Sequence, residues 1–554
     1  MNFLKNEAML MAKTFVPLQY QAPLPDSLII EKKPEGDDVV PFDVVFVGAG
    51  PAGLSAAIEL NKLVKQDPSV GPIEIGVLEK AASLGGHSLS GAVVNPRAFK
   101  ELFPDLKPSD LPFRKPVTAE KVYMLTESGK IRIPTPPTMK NHGYYTASLS
   151  EVVRFLGKKA EDAGVNILTS FPVESLMMQG NQVVGVRTTP AGLKRDGQPG
   201  NNYMPPTEIS ARVVALSEGT RGPLTGAYMK KMKIKSNAKQ IYALGVKEVW
   251  KVKKAPQEVI HTLGWPLPKD AFGGTFLYPL ADDMVAFGLV AGLDYKDANL
   301  DVHNLVQIMK KHPLFAEILE GGECLEWGAK TIPEGGFHAL PERFTGDGLV
   351  MMGDAVGLVN VPALKGIHYA MMSGILAARA IFKALKEGKT DAASLQSYDQ
   401  SLRESFIWKD LHEVRNMRLA FKSGFYLGGA KAAFMTLTKG LFPGGDIHGE
   451  EDAAEPKNLG TTPATPTGMS KVDGVYRSGN KTRDDIPQHL IVGKDISGEM
   501  ADFYSHVCPA GVYERRGDTL VVNAPNCVDC KATDVLGPRW TPREGGSGPD
   551  YKLM

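Results

Sequence analysis

Residues 48–53 read G-A-G-P-A-G, and this run constrains the fold more tightly than anything else in the chain. A G-x-G-x-x-G turn holds a diphosphate only when a strand delivers it and a helix leaves it. Both flanks are present. Val44–Val47 is a β-branched and aromatic run, and 54–64 has helical apolar spacing. Gly48 permits the tight turn, Gly50 lets a pyrophosphate approach the backbone, and Gly53 allows close helix–strand packing. The amides at the helix N-terminus then face the diphosphate, assisted by the helix dipole. A second short strand over 73–78 ends in Glu79, whose carboxylate is placed to accept hydrogen bonds from ribose hydroxyls. Glu79 lies 29 residues beyond Gly50, later than the usual ~20. The polar loop 66–72 accounts for the excess.

A Gly-rich turn with no ligand is the rival reading; a dinucleotide held here is expected to be FAD or NAD. An apolar strand over 348–352 runs into Gly353-Asp354-Ala355, and a helix with one buried face follows over 364–385. This element resembles the distal motif of FAD-dependent oxidoreductases, in which the Asp contacts the ribityl chain. The helix dipole would stabilise negative charge on a reduced isoalloxazine. Taken alone, Asp354 reads more simply as a helix N-cap. No second G-x-G-x-x-G of this quality occurs, so a separate NAD(P)H domain is not expected.

Four cysteines in 554 residues exclude a secreted disulfide scaffold and suit a reducing compartment. Three of them sit near the end, in C-P-A-G-V-Y-E (Cys508) and N-C-V-D-C-K (Cys527 and Cys530). Thiolates at C-x-x-C spacing can share one metal centre, and a Cys-Pro pair is familiar from bacterial ferredoxin-type clusters. Zinc is the alternative, but it normally recruits a fourth Cys or a His at short spacing. His506 is too close to Cys508 to be an obvious ligand. Unliganded thiols are the remaining reading. A net charge of +1, from 63 basic and 62 acidic residues, lacks the excess a nucleic-acid binder needs. No nucleic-acid partner is expected.

The fold class expected is α/β and α+β: a Rossmann-like FAD-binding domain, an interleaved second domain and a small C-terminal module. An irregular lead-in covers 1–40, and the FAD-binding domain runs over 41–230 and returns over 346–400. A mixed sheet region fills 231–345; strands are expected before it at Gln182–Thr188 and Val213–Leu216 and within it at 275–280 and 284–290. A helical segment follows over 401–449. Residues 450–486, rich in Thr, Pro, Gly and charge, read as a surface connection to the cysteine module at 487–554. The N-terminus has neither a signal-peptide core nor transit-peptide character, and ~18 consecutive apolar residues occur nowhere.

Many short segments, in order, give the chain its resemblance to the electron-transfer flavoprotein–ubiquinone oxidoreductase family. They include V-G-A-G-P-A-G-L-S-A-A at 47–57, L-E-K-A-A at 78–82, L-S-G-A at 89–92 and F-G-G-T-F-L-Y at 272–278. N-V-P-A-L-K-G at 360–366, both cysteine motifs and E-G-G-S-G-P at 544–549 continue the match. The resemblance implies one FAD, one 4Fe–4S cluster in a ferredoxin-like iron–sulfur module, and a quinone pocket in a monotopic membrane protein. Electrons would enter from reduced electron-transfer flavoprotein and leave to ubiquinone or menaquinone, with no catalytic acid–base triad. FAD would be held by Gly48, Gly50, Gly53, Glu79, Asp354 and Gly366, the quinone by backbone at Gly273-Gly274, and the cluster by Cys508, Cys527 and Cys530. Without the resemblance, Gly273-Gly274 reads as an ordinary turn.

Two positions depart from the family pattern. Where its tail carries C-x-x-C-x-x-C, this chain has Thr533 in the third place. The resemblance therefore leaves open a three-iron cluster, oxygen ligation by Thr533, Asp529, Asp534 or water, and recruitment of Cys324. Ile367 stands where the family usually carries Thr near the flavin.

Between Val414 and Gly445 lie Arg415, Arg418, Lys422, Lys431 and Lys439, with interleaved aromatics including Phe442 and no acidic residue. Such a segment suits an interface with anionic headgroups, and the family's membrane-associated segments map here and near 88–110. A buried helical hairpin is the rival reading. The expected location is the cytoplasmic face of a bacterial inner membrane in preference to a mitochondrial one. Two other functions compete: an isoprenoid reductase or monooxygenase on the same flavin fold, and a zinc-stabilised binding protein with an inactive nucleotide fold.

Overall fold

The computed structural model of the protein describes residues 14–441, 447, 449–459 and 465–554. Residues 1–13 of the lead-in, Phe442 of the basic segment and 460–464 of the expected connection lie outside them.

The apolar runs build a six-stranded sheet in the order Asn166–Thr169, Ile75–Glu79, Val44–Val47, Val213–Leu216, Leu349–Met351, Thr345–Gly346. The first five strands are parallel, and their near-continuous Val, Ile and Leu suit burial on both faces. Helix Pro51–Gln66 packs on helix Ile367–Lys386 so closely that a Cβ on Gly374 would stand 2.2 Å from the Ala52 carbonyl oxygen. Gln182–Thr188 and Val213–Leu216 are strands with the expected bounds. The other two lie within Gly273–Ala281 and Met284–Gly292.

A seven-stranded sheet runs Glu323–Pro333, Tyr242–Lys251, Met284–Gly292, Gly273–Ala281, Val259–Gly264, Glu120–Leu125, Lys130–Ile133. It draws on more than 231–345. Glu120–Leu125 pairs in parallel with Val259–Gly264, and Lys130–Ile133 closes the edge. Without them, the row of backbone donors and acceptors along Val259–Gly264 would be left unpaired. The lead-in also contributes, since Ile29–Ile30 and Val40–Pro41 flank a five-stranded sheet.

Residues 450–486 are more than a surface connection. Asp452 is buried and accepts from the Tyr242 amide at 2.7 Å, and buried Lys457 donates to the Leu293 carbonyl at 2.9 Å. Helix Lys471–Arg477 lays Gly474 on the fully buried Trp327. Its few large apolar residues are used inward, with Val475 and Ile486 buried and Leu459 and Met469 packed on the core of the seven-stranded sheet. In the tail, Phe503, Tyr504, Val535 and Leu536 share one apolar core with Leu244, Leu289 and Trp327 of the seven-stranded sheet.

Candidate functional site

The nucleotide end is shaped by the glycine turn. Gly48 has φ +105°, and a Cβ there would stand 2.5 Å from the Ser217 carbonyl oxygen; on Gly53 it would stand 2.2 Å from the Gly48 oxygen. Gly50 is different, because no atom lies within 4 Å of where its Cβ would be and that side opens into a cavity. Gly50 is the N-cap of Pro51–Gln66, so first-turn amides without helical partners face the opening. Glu79 is fixed at the cavity wall: Oε2 accepts from the Ala49 amide at 2.9 Å and Oε1 from the Ala81 amide at 2.8 Å.

Asp354 lies inside the short 3-10 turn Gly353–Val356, whose N-cap is Met352, so the N-cap reading does not hold. Its carboxyl lines the cavity, and burial pushes it up to about 6 against the pull of Lys330. Gly366 caps Ile367–Lys386 and reaches the same cavity with Ile367. A bare diphosphate cradle, a ribose acceptor and a second carboxyl converging on one cavity fit FAD.

The cavity, of 980 Å³, continues to Gly273 and Gly274. These open the strand Gly273–Ala281 and do not form a turn. The sheet itself demands glycine there, because a Cβ on Gly273 would stand 2.1 Å from the Val290 oxygen and one on Gly274 2.4 Å from the Thr262 oxygen. Four polar residues on this wall escaped sequence reasoning: Lys247, His261, Tyr278 and Lys365. His261 Nε2 and Tyr278 Oη are 2.8 Å apart, and burial lowers His261 to about 3, leaving it neutral. Burial also lowers Lys247 and Lys365 to about 7. Single residues scattered over strands carry no spacing signal. Only Tyr278 and Lys365 lay in segments already singled out, and for other reasons.

The cysteine loop docks directly on this wall. The Thr331 amide donates to the Cys530 carbonyl at 3.0 Å, and Thr331, Lys330, Lys531 and Trp540 all line the cavity. Cys508, Cys527 and Cys530 are all buried and influence one another electrostatically. Burial pushes the Cys527 thiol up to about 12 and the other two upward as well. Each thiol nevertheless has a cation beside it: Lys471 for Cys508, Arg543 for Cys527, Lys330 for Cys530. Thiols this buried become thiolates when a metal centre supplies the compensating charge. Three convergent sulfurs among cations suit an anionic cluster better than isolated thiols. Asp529 and Lys531 hold left-handed backbone (φ +54° and +65°) and curl the loop.

The basic segment needs two corrections. Arg418 does not face headgroups: it is buried, with Nη2 at 2.8 Å from Asp294 and Nε at 2.6 Å from Glu334. Sequence showed no acid nearby because both partners lie just past strands that are distant in the chain. Lys422 is paired with Glu455 at 2.8 Å, while Lys431 bonds Ser423 and Lys439 stays exposed. The second expected membrane segment, 88–110, exposes no large apolar side chain; Val93, Val94, Phe99 and Leu102 are core residues. By contrast, helix Phe425–Leu437 exposes Leu427, Phe434 and Leu437 while turning Gly429, Ala432 and Thr436 to the cavity. Among the described residues no helix is long and apolar enough to cross a membrane.

A dinucleotide sheet with an open diphosphate cradle, completed by a second sheet and backed by a three-cysteine loop, defines a FAD-dependent oxidoreductase carrying a metal module. Family models match residues 242–332 (ETF-QO, ubiquinone-binding) and 467–552 (electron transfer flavoprotein-ubiquinone oxidoreductase, 4Fe-4S). The chain belongs to the electron-transfer flavoprotein–ubiquinone oxidoreductase family, being 40% identical over 547 residues to the mitochondrial member of Arabidopsis thaliana, across 93% of this chain and 85% of that one. Identity to the human mitochondrial member is 37%, across 95% and 91%. These relatives are named as mitochondrial, and nothing in them supports the bacterial membrane expected from sequence. A geranylgeranyl bacteriochlorophyll reductase-like protein of Thermoplasma acidophilum shares the fold at 18% identity and TM-score 0.54, over 73% of this chain and 90% of that one. A myxobacterial chondrochloren halogenase does so at 17% and 0.51, over 75% and 95%.

Proposed function

We propose that the chain passes electrons from reduced electron-transfer flavoprotein to ubiquinone, with Gly48, Gly50, Gly53, Glu79, Asp354 and Gly366 holding FAD. Cys508, Cys527 and Cys530 hold the iron–sulfur cluster, and Gly273 and Gly274 offer bare backbone to the quinone ring. The observation that carries this reading is the single cavity joining Gly50, Gly273-Gly274, Lys531 and helix Phe425–Leu437. FAD and the cluster, when bound, supply exchange between one-electron and two-electron carriers. The protein positions them: Glu79 anchors a ribose, and the cluster loop borders the cavity, since Lys531, next to Cys530, lines it. The exposed face of Phe425–Leu437 rests on a membrane surface, so that a quinone enters from lipid. Menaquinone fits the same backbone contacts.

The test is quinone-analogue reduction by full-length protein reconstituted with anionic liposomes and driven by reduced electron-transfer flavoprotein. Turnover that needs this donor is expected. Turnover driven by NADPH with oxygen uptake, and none with the flavoprotein donor, would instead favour the monooxygenase reading. A visible flavin spectrum excludes the zinc-stabilised binding protein.

A further inference from the structure

We propose that Thr533 Oγ1 is the fourth ligand of the cluster, completing the set begun by Cys508, Cys527 and Cys530. The inference rests on reading those cysteines as cluster ligands, and the structure separates the candidates that sequence left open. Asp529 Oδ1 lies 3.6 Å from Cys527 Sγ and accepts from it, but both carboxylate oxygens are already held by other donors. One of its oxygens accepts from Trp540 Nε1 and Arg543 Nη2, each at 2.9 Å, and the other is paired with Lys80 beside His87. Asp534 is likewise engaged, with Arg221 on one oxygen and the Trp540 amide at 2.8 Å on the other. Cys324 is remote. It pairs in register with Trp250 at one end of Glu323–Pro333, whereas Thr331, seven residues on, bonds the Cys530 carbonyl. That is about 23 Å of strand at ~3.3 Å per residue.

Thr533 is placed otherwise. It is buried, in the third position of the Cys527, Cys530 series, on the first turn of Ala532–Leu536. Its Oγ1 lies 3.3 Å from the Tyr513 hydroxyl, its one side-chain partner. That same hydroxyl has all three thiols as electrostatic neighbours. Tyr513 can donate to Oγ1, leaving an oxygen lone pair for iron. Forming the Fe–O bond releases the hydroxyl proton to solvent, as each Fe–S bond releases a thiol proton, so four protons leave on cluster insertion and no electron is transferred. Four ligands close a cubane, where three leave an iron open.

His489 is the remaining competitor. Both its ring nitrogens are buried without partners, and one lies within 4.8 Å of Cys527 Sγ. It stands, however, among Arg543, Asp529 and Lys80, and of the three thiols only that of Cys527 groups with it within 4.8 Å.

The experiment is iron and acid-labile sulfide analysis with Mössbauer and electron paramagnetic resonance spectroscopy on the FAD-loaded full-length protein, purified without oxygen. We expect four irons per chain, one with an oxygen-ligated signature. Thr533→Val should lose one iron in four and show a three-iron signal, with FAD content and melting temperature unchanged. Thr533→Cys should keep four irons and lose the distinct site. The proposal is overturned by a three-iron wild type, by four irons in Thr533→Val, or by superimposable wild-type and Thr533→Cys spectra. Nitrogen hyperfine coupling that vanishes in His489→Phe also overturns it, in favour of histidine. Wild type without iron or sulfide overturns the cluster reading as well, which the other outcomes leave intact.

Discussion

Replacing Arg418 by Met removes one cation from between two buried carboxylates. Arg418, Asp294 and Glu334 are each about one-tenth exposed or less at the side chain. Burial alone would raise both acids. Arg418 pulls Asp294 below its usual range, whereas Glu334 stays raised. Without the guanidinium both would be raised. Breaking a buried pair by deleting one partner costs about 3–5 kcal/mol. A chain of 554 residues, at ~2.1 cal/mol/K per residue, unfolds with an entropy of about 1.2 kcal/mol/K if it melts as one unit. The expected loss is then about 3–4 °C in melting temperature. Its pH dependence has a definite sign. A carboxyl whose folded pKa is raised favours the native state when protonated, so the variant loses stability as pH rises from the unfolded value toward the folded one. The deficit should therefore be full at pH 8 and shrink as pH falls toward 5. Differential scanning fluorimetry across that range measures it, and adding Asp294→Asn and Glu334→Gln should restore most of the loss. A variant melting within about 1 °C of wild type at pH 8, or a gap that does not change with pH, would refute the reasoning.

Other consequences are as direct. Gly50→Val fills the open cradle, so FAD should be lost while the melting temperature of the apoprotein stays within about 1 °C; retained flavin absorbance would contradict this. Lys247→Met should stabilise the protein at pH 6 by about 2–4 kcal/mol, because a lysine with a lowered folded pKa opposes folding until pH rises through 7 towards 10.5. The gain should fade by pH 10 in denaturant melts. Lys431→Glu with Lys439→Glu should weaken binding to anionic vesicles by at least about 1 kcal/mol per lysine, and Phe434→Asp should weaken it in neutral vesicles too. Co-sedimentation unaffected by all three changes would remove the membrane face.

The parts of this molecule written locally were readable. Val44–Val47, the glycine turn and Glu79 all belong to one β-turn-α-β unit, so this end of the cavity is written within a single short stretch of chain. Cys527 and Cys530 are readable for the same reason. What failed depends on partners far apart in sequence. Arg418 looked like a surface cation because Asp294 and Glu334 lie 124 and 84 residues away. Residues 120–133 gave no sign that they complete a sheet begun at 242, since parallel pairing leaves no local trace. Gly273-Gly274 read as a turn because two glycines look alike whether they bend a chain or let another pass close by. His261 and Tyr278 meet only when two strands align.

Helix Phe425–Leu437 forms part of the cavity wall, yet among its described residues only Gly428 and Met435 are buried, with Lys431 to Ser423 and Thr436 to Met417 as further side-chain ties. Burying one methionine stabilises by about 1.5–3 kcal/mol, a factor of roughly ten to a hundred in population at ~1.4 kcal/mol per decade. A wall tied this lightly costs little to move, so on the proposed membrane reading hydrocarbon against its outer face would compete with its closed packing. On that reading, turnover measured in micelles would depend on the host amphiphile as well as on the enzyme.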